Sequence, residues 1–186
     1  MRDIPKIFFS SETGAPTKHC KVCGKFLLDE AEYAIEKAFV HYPTTGTTDL
    51  IWEIALCTNC QESMMSEISI ESQKKMNAYF ATHSNLSHQQ QLLQEENFNP
   101  EAWVDQCIVK GTKKAGCSQF QITGRCLGNQ MIFEHTPFMI SGAAMDELTQ
   151  LLSNQTIGTM NKFRDQHFPP PEDLSPLFRD KDFVFI

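Results

Sequence analysis

Two apolar runs in the first third of the chain predict a pair of antiparallel strands. The runs are "EYAIEKAFVHY" and "DLIWEIALC", and both are rich in the β-branched and aromatic residues that favour strands. The segment between them, "PTTGTTD", has the Pro, Gly and Thr content of a hairpin loop. Glu and Lys within the first run leave a short helix as an alternative there.

The spacing of apolar residues becomes helical at Thr58. Met64 and Ile68 lie on one side of the predicted helix, which continues to about His83. Ahead of the two strands, the residues up to Pro16 predict an extended arm.

The C-terminal half predicts helices around a second hairpin. This hairpin is centred on Leu127-Gly128-Asn129, which separates two strand-like segments. Ser141 can cap the helix that follows it, and Pro100 has a favourable first helical position. The predicted segments are "SHQQQLLQEENF", "PEAWVDQCIV", "CSQFQITGRC", "NQMIFEHTPFMI", "GAAMDELTQLLS", "NQTIGTMNKFRDQHF" and, as an edge strand, "KDFVFI". No internal repeat is evident along the chain.

Composition and charge narrow the class of protein. The 186 residues suffice for one large or two small domains, and 41% hydrophobic with 21% charged residues is a globular mixture. The formal charge of -7 repels a phosphate backbone, which makes nucleic acid an unlikely partner. No secretory signal and no apolar stretch of about 20 residues is evident, so a cytoplasmic protein without membrane association is expected.

Four of the seven cysteines form two pairs with the spacing of metal ligands. Cys20 and Cys23 make one Cys-x-x-Cys pair, and Cys57 and Cys60 make the other. Each pair supplies two thiolates from a tight turn, and two pairs complete a tetrahedral four-cysteine zinc site. Because four thiolates leave no position for water, the expected Zn²⁺ is structural rather than catalytic.

The order of pair, hairpin, and a second pair that opens a helix resembles the treble-clef group of zinc-binding folds. The resemblance covers about residues 17–83 and is carried by "CKVC" and "CTNC". Treble-clef nucleases of the His-Asn-His type place catalytic histidines on the hairpin and the helix. His41 lies near the hairpin here, but the helix predicted from Thr58 to Phe80 contains no histidine, so the resemblance does not imply that activity.

Three other interpretations of the cysteines remain as alternatives. A strand that delivers Cys57 and Cys60 to a helix is also typical of a thiol-disulfide redox site, although Cys20 and Cys23 then have no role. A second metal site is conceivable, as is a nucleophilic pair of Cys117 with His135, but neither has the close spacing of a metal-binding turn or an identifiable orienting acid. Buried structural thiols are expected there instead. The residues of that possible second site are Cys107, Cys117, Cys126 and His135.

Together these features predict an α+β protein. Residues 1–85 are expected to form a treble-clef-like zinc module, packed as one compact unit on a half, residues 86–186, of helices with a β-hairpin. The function expected is non-enzymatic interaction with another macromolecule, most plausibly a protein. No phosphate-binding glycine loop is present, and no small-molecule substrate is indicated. An enzyme with its site in the C-terminal half is the alternative.

Overall fold

The structure is a computed structural model that describes residues 1–42 and 44–167 of the chain. It contains both helices and strands, in agreement with the predicted α+β class. In chain order the elements are β1 Arg2–Asp3, β2 Glu32–Tyr42, β3 Thr47–Cys57, α1 Thr58–Ser66, α2 Ile70–His83, α3 Ser87–Gln94, α4 Pro100–Trp103, β4 Gln119–Leu127, β5 Gln130–Ile132, β6 Phe138–Ser141, α5 Gly142–Leu151 and α6 Asn154–His167. The predicted edge strand "KDFVFI" lies outside the described residues.

One antiparallel sheet joins the two halves of the chain. Its strand order is β1-β5-β4-β2-β3, and β6 also pairs with β4. The central pairing joins β2 to β4, from Glu32 opposite Leu127 to Val40 opposite Gln119. The sheet therefore crosses the predicted boundary after residue 85, and the two halves share a backbone ladder. The division into two regions stays a prediction.

Both predicted hairpins are present. β2 pairs with β3 from Tyr33 opposite Cys57 to Tyr42 opposite Thr47. The second turn places Gly128 at a positive φ of 56°, a conformation that glycine adopts without steric cost. The strand predicted after this turn is divided into β5 and β6, because Pro137 in the interruption has no N–H to contribute to a ladder.

The helix predicted from Thr58 to His83 is in fact two helices. α1 ends at Ser66, and α2 begins at Ile70. Ser69 caps α2, since its side chain accepts a hydrogen bond from the Ser72 N–H. A serine that satisfies an otherwise unpaired N–H in this way favours a new helix start over continuation of the first helix.

Two other predicted segments differ from the structure. The residues up to Pro16 are not an extended arm: β1 pairs with β5, and Phe8 is fully buried in the core. The helix predicted from Pro100 to Val109 is limited to α4, because the backbone turns sharply at Cys107. Apolar periodicity alone did not reveal either feature, since the first depends on pairing with a distant strand and the second on a local turn.

A single hydrophobic core joins residues from both halves. Trp103 is fully buried and donates its indole N–H to the Asn97 carbonyl at 2.8 Å, which satisfies its polar atom. Other fully buried side chains come from the sheet and from the helices that cover it: Tyr33, Leu27, Ile35, Ile122, Met131, Met139, Ile140, Leu148 and Met160. Removal of this apolar area from water is the main stabilising term of such a fold.

Candidate metal centre

The first cysteine pair lies in a tight backbone turn, here called the first knuckle, residues 18–27. The Cys20 N–H donates to the Lys25 carbonyl, and the Gly24 N–H donates to the Cys20 carbonyl, both at 2.9 Å. Gly24 has a φ of 72°, which explains why glycine follows the second cysteine. The turn thereby holds the sulfur atoms of Cys20 and Cys23 close together.

The second pair lies where β3 passes into α1. Cys57 is the last residue of β3 and the N-cap of α1, and Cys60 is in the first turn of that helix. Two contacts join this junction to the first knuckle. The Lys21 N–H donates to the Ala55 carbonyl at 3.0 Å, and the Cys57 N–H donates to Cys20 Sγ at 3.4 Å.

The four sulfur atoms converge. The Sγ atoms of Cys20, Cys23, Cys57 and Cys60 all lie within 4.8 Å of one another, and Cys23 Sγ is 3.7 Å from Cys57 Sγ. A regular tetrahedron with Zn–S bonds of about 2.3 Å has S···S edges of about 3.8 Å. The four residues therefore fit the size and the donor set of a four-thiolate metal site.

The four thiols differ in their acidity. Burial alone raises the pKa of Cys20, but N–H donors from Cys23, Cys57 and Val22 outweigh it and lower this pKa to about 7. Burial, together with the neighbouring thiols, raises the pKa of Cys57 and of Cys60. A bound cation reverses this second effect, because its positive charge favours all four thiolates at once.

The surface around the first knuckle is exposed and basic. Val22 and Phe26 are 39% and 47% exposed, and the His19 ring contacts Phe26 edge-on at a centroid distance of 5.5 Å. Three lysines lie on the same turn and are also exposed, and none of them forms an ion pair with a described residue. These lysines are Lys18, Lys21 and Lys25.

A polar cavity of about 280 Å³ lies beside this knuckle. Lys37 and Glu53 form an ion pair in its wall at 2.9 Å, and Lys37 also donates to the Phe9 carbonyl. The Glu53 carboxylate further accepts hydrogen bonds from the N–H and hydroxyl of Ser11. Both charged groups therefore already have partners. Through their hydrogen bonds to Phe9 and Ser11, they hold the N-terminal segment against the sheet.

The possible second site does not assemble. In the described part of the chain, the four cysteines above are the one group of three or more potential ligands that converge. Cys126 is fully buried, and burial raises its pKa to about 12. His135 is exposed in the turn before β6, whereas Cys117 is buried and donates to the Lys113 carbonyl, so no hydrogen bond between described atoms joins the proposed nucleophilic pair.

Sequence reasoning missed a second knuckle, residues 105–114, which surrounds Cys107. The Cys107 N–H donates to the Thr112 carbonyl at 2.9 Å, and the Gly111 N–H donates to the Cys107 carbonyl at 2.8 Å. Gly111 has a φ of 65°. A short signal was present, because "CIVKG" repeats the Cys, Val and Gly positions of "CKVCG" with a lysine in place of the second cysteine.

Comparisons with known proteins identify no relative. No family model, no curated protein and no solved structure matches the chain. Among the described residues, no helix is both long and apolar enough to cross a membrane.

Proposed function

We propose that the protein binds one Zn²⁺ through Cys20, Cys23, Cys57 and Cys60, and that this ion stabilises a module that recognises another protein. The observation that carries the proposal is the convergence of four sulfur atoms within 4.8 Å. Four thiolates saturate zinc, so the ion supplies cross-linking and not Lewis-acid chemistry. The treble-clef resemblance belongs to this proposal, supported by the order of knuckle, hairpin and helix-opening pair.

Zinc is favoured over redox chemistry by the surroundings of the second pair. Burial raises the pKa of Cys57. An attacking redox cysteine requires the opposite shift, since the thiolate is the nucleophile. Redox chemistry also leaves the proximity of Cys20 and Cys23 without a purpose, whereas zinc uses all four sulfurs.

The partner proposed is an acidic protein segment that carries apolar side chains. The first knuckle offers Lys21 and Lys25 without described ion pairs, beside the exposed side chains of Val22 and Phe26. Positive charge next to exposed apolar surface is complementary to such a segment. A nucleic-acid partner is disfavoured because the chain as a whole carries a formal charge of -7.

Metal analysis combined with thiol titration tests the zinc site. We expect one zinc per chain after purification without added metal, and four additional reactive thiols when a chelator is added. Cys117→Ser is the matched control, since it removes a buried cysteine outside the cluster and should leave both results unchanged. A metal-free protein with a reversible Cys57–Cys60 disulfide would overturn the zinc proposal and favour the redox alternative.

Charge reversal on the first knuckle tests recognition separately. The probe is an array of acidic peptides of about 15 residues that contain aromatic side chains. We expect salt-sensitive binding by the wild-type protein, and at least a tenfold loss in Lys21→Glu/Lys25→Glu. Lys113→Glu on the second knuckle is the control and should bind like the wild type. Absence of binding to every acidic peptide, or equal binding by all three proteins, would contradict the proposed partner.

A further inference from the structure

The two knuckles have the same pattern of hydrogen bonds, and the match extends beyond the turn itself. A flanking bridge pairs His19 with Phe26 in the first knuckle and Gln106 with Lys113 in the second. The residue after each cysteine also donates to a strand: Lys21 to the Ala55 carbonyl at 3.0 Å, and its counterpart, Ile108, to the Met139 carbonyl at 2.9 Å. The matching bonds extend from the turn to the strand that precedes each helix.

The sheet continues this match in register. Tyr33 lies opposite Cys57 in the ladder of β2 and β3, and Phe120 lies opposite Ser141 in the ladder of β4 and β6. The same number of residues separates Tyr33 from Cys20 as separates Phe120 from Cys107. The three following pairs of both ladders also correspond, up to Glu36 with Ile54 and Thr123 with Phe138.

The helices match as well. α1 begins immediately after Cys57, and α5 begins immediately after Ser141. α2 and α6 both contain 14 residues, and both contain Met-Asn, an aromatic residue and a final histidine at the same positions. The aromatic ring contacts that histidine in each case, with centroid distances of 4.6 Å for Tyr79 and His83 and 4.5 Å for Phe163 and His167.

An approximate two-fold axis relates the two sets of elements. It passes between Glu36 and Thr123, which are equivalent positions of β2 and β4 and also lie opposite each other in the ladder. The helix starts obey the same symmetry. Ser69 N–H donates to Thr156 Oγ1 at 3.2 Å, and Ser153 N–H donates to Ser72 Oγ at 3.0 Å, which are exchanged by the rotation.

We infer that the chain is a tandem duplication of one metal-binding unit, with the first unit at residues 18–83 and the second unit at residues 105–167. The second unit retains the backbone of the metal site, while other contacts have replaced its ion. The equivalent of Cys20 is Cys107. The equivalents of the three remaining ligands are Lys110, Ser141 and Ala144. The equivalence rests on the matching hydrogen bonds, strand register and helix contacts described above, whereas the expectation that this geometry accepts zinc rests on the function proposed above for the first site.

The replacement contacts are visible around Cys107. Its Sγ accepts hydrogen bonds from the Lys110 N–H and the Ser141 N–H at 3.3 Å, and from the Ser141 hydroxyl at 3.4 Å. The bond from Ser141 N–H corresponds to the bond from Cys57 N–H to Cys20 Sγ, which measures 3.4 Å. The Lys110 side chain forms an ion pair with Glu147 of α5 at 2.5 Å. A thiol network and an ion pair therefore join the same elements that the ion joins in the first unit.

Restoration of the missing ligands tests the inference. The triple variant Lys110→Cys/Ser141→Cys/Ala144→Cys should bind two zinc ions per chain, and Co²⁺ loading should double the absorption typical of tetrahedral thiolate sites. The matched control, Cys107→Ser/Lys110→Cys/Ser141→Cys, has only two thiolates at this site and should return both values to those of the wild type. Ala144 is fully buried, so Lys110→Cys/Ser141→Cys serves as a second variant if the triple variant folds poorly.

The outcomes separate the two proposals. A triple variant that folds, as judged by circular dichroism, but binds no more metal than the wild type overturns the inference. If it is misfolded, the same absence of added Co²⁺ absorption in the double variant overturns it. A wild-type protein without metal contradicts the proposed function instead. In that case, one ion in the triple variant that the control lacks still supports the inference, and a triple variant without metal overturns it.

Discussion

The two knuckles have the same backbone hydrogen bonds, but different contacts stabilise them. In the first knuckle the residue after the cysteine, Lys21, is exposed, and few buried side chains anchor the turn. Its counterpart in the second knuckle, Ile108, is only 6% exposed and belongs to the hydrophobic core. The comparison teaches that this turn does not require a metal where the core can reach it. The proposed metal would supply the missing support where the turn projects into solvent.

The two knuckles also differ in whether their lysines form ion pairs. Lys110, Lys113 and Lys114 of the second knuckle each form an ion pair with a carboxylate, at 2.5 to 2.6 Å. The lysines of the first knuckle have no such described partners, as noted above. Individual surface pairs contribute about 1 kcal/mol or less, so the difference concerns availability to a partner more than stability.

Loss of one zinc ligand should have the largest effect. Cys57→Ser is expected to lose the metal and to remove most of the roughly 10 kcal/mol of apparent binding energy that structural zinc supplies to small motifs. Hydrogen exchange should show lost protection in β3 and α1, while α5 and β6 of the second unit keep theirs.

The control for this variant is Ser141→Ala at the equivalent position of the second unit, which should retain the metal. A Cys57→Ser protein that stays fully metallated, with unchanged exchange in α1, would be inconsistent with a metal-held first unit.

Removal of the sulfur of the second knuckle should have an intermediate effect. Cys107→Ala leaves the Ser141 N–H and hydroxyl buried without their acceptor, and an unsatisfied buried donor costs about 1 to 3 kcal/mol. We expect a loss of about 3 kcal/mol in the free energy of unfolding, measured by denaturant titration, with zinc content unchanged.

Cys107→Ser is the conservative partner of this variant, because its oxygen can still accept hydrogen bonds, and it should lose less than Cys107→Ala. Equal stability of Cys107→Ala and the wild type would show that the thiol network does not hold the second knuckle.

The smallest effect concerns the Lys37–Glu53 pair, which belongs to the first unit alone. Burial raises the pKa of Glu53, but hydrogen bonds from Lys37 and Ser11 outweigh it and hold this pKa below its ordinary value. A depressed pKa in the folded state stabilises the fold above the unfolded-state pKa of about 4.3, and this contribution is lost as pH falls through the folded-state pKa.

Unfolding of Glu53→Gln and wild type should therefore be compared between pH 6 and pH 3. The wild type should be more stable by about 1 kcal/mol at pH 6, a modest value because the pair is partly exposed, and the two proteins should converge at the acidic end. A difference that stays constant with pH would argue against the ionised carboxylate as the source.

Short-range sequence patterns were sufficient to predict much of this structure. The four sulfurs that converge were predicted from Cys-x-x-Cys spacing, since a tight turn leaves little freedom in where its two cysteines lie. The hairpins at Gly46 and Gly128 followed from turn residues between apolar runs, and both glycines have positive φ. Such features depend on neighbours in the sequence.

The features that were missed depend on distant residues. The break before α2 is stabilised by Ser153 and Thr156, which lie in the C-terminal half. The second knuckle kept only Cys107, Val109 and Gly111 of its pattern, too few positions to detect without the register of the sheet. The repeat is therefore evident in hydrogen bonds although little of it remains in the residues.

β2 is the strand of the first unit that borders the second unit, with β3 on one side and β4 on the other. If metal loss releases β2, the nine-residue strand β4 gains an open edge of unpaired amides and carbonyls. Open edges of this kind accept strands from neighbouring molecules. If the proposed zinc site is correct, metal starvation would thus convert a local folding defect into self-association of the protein.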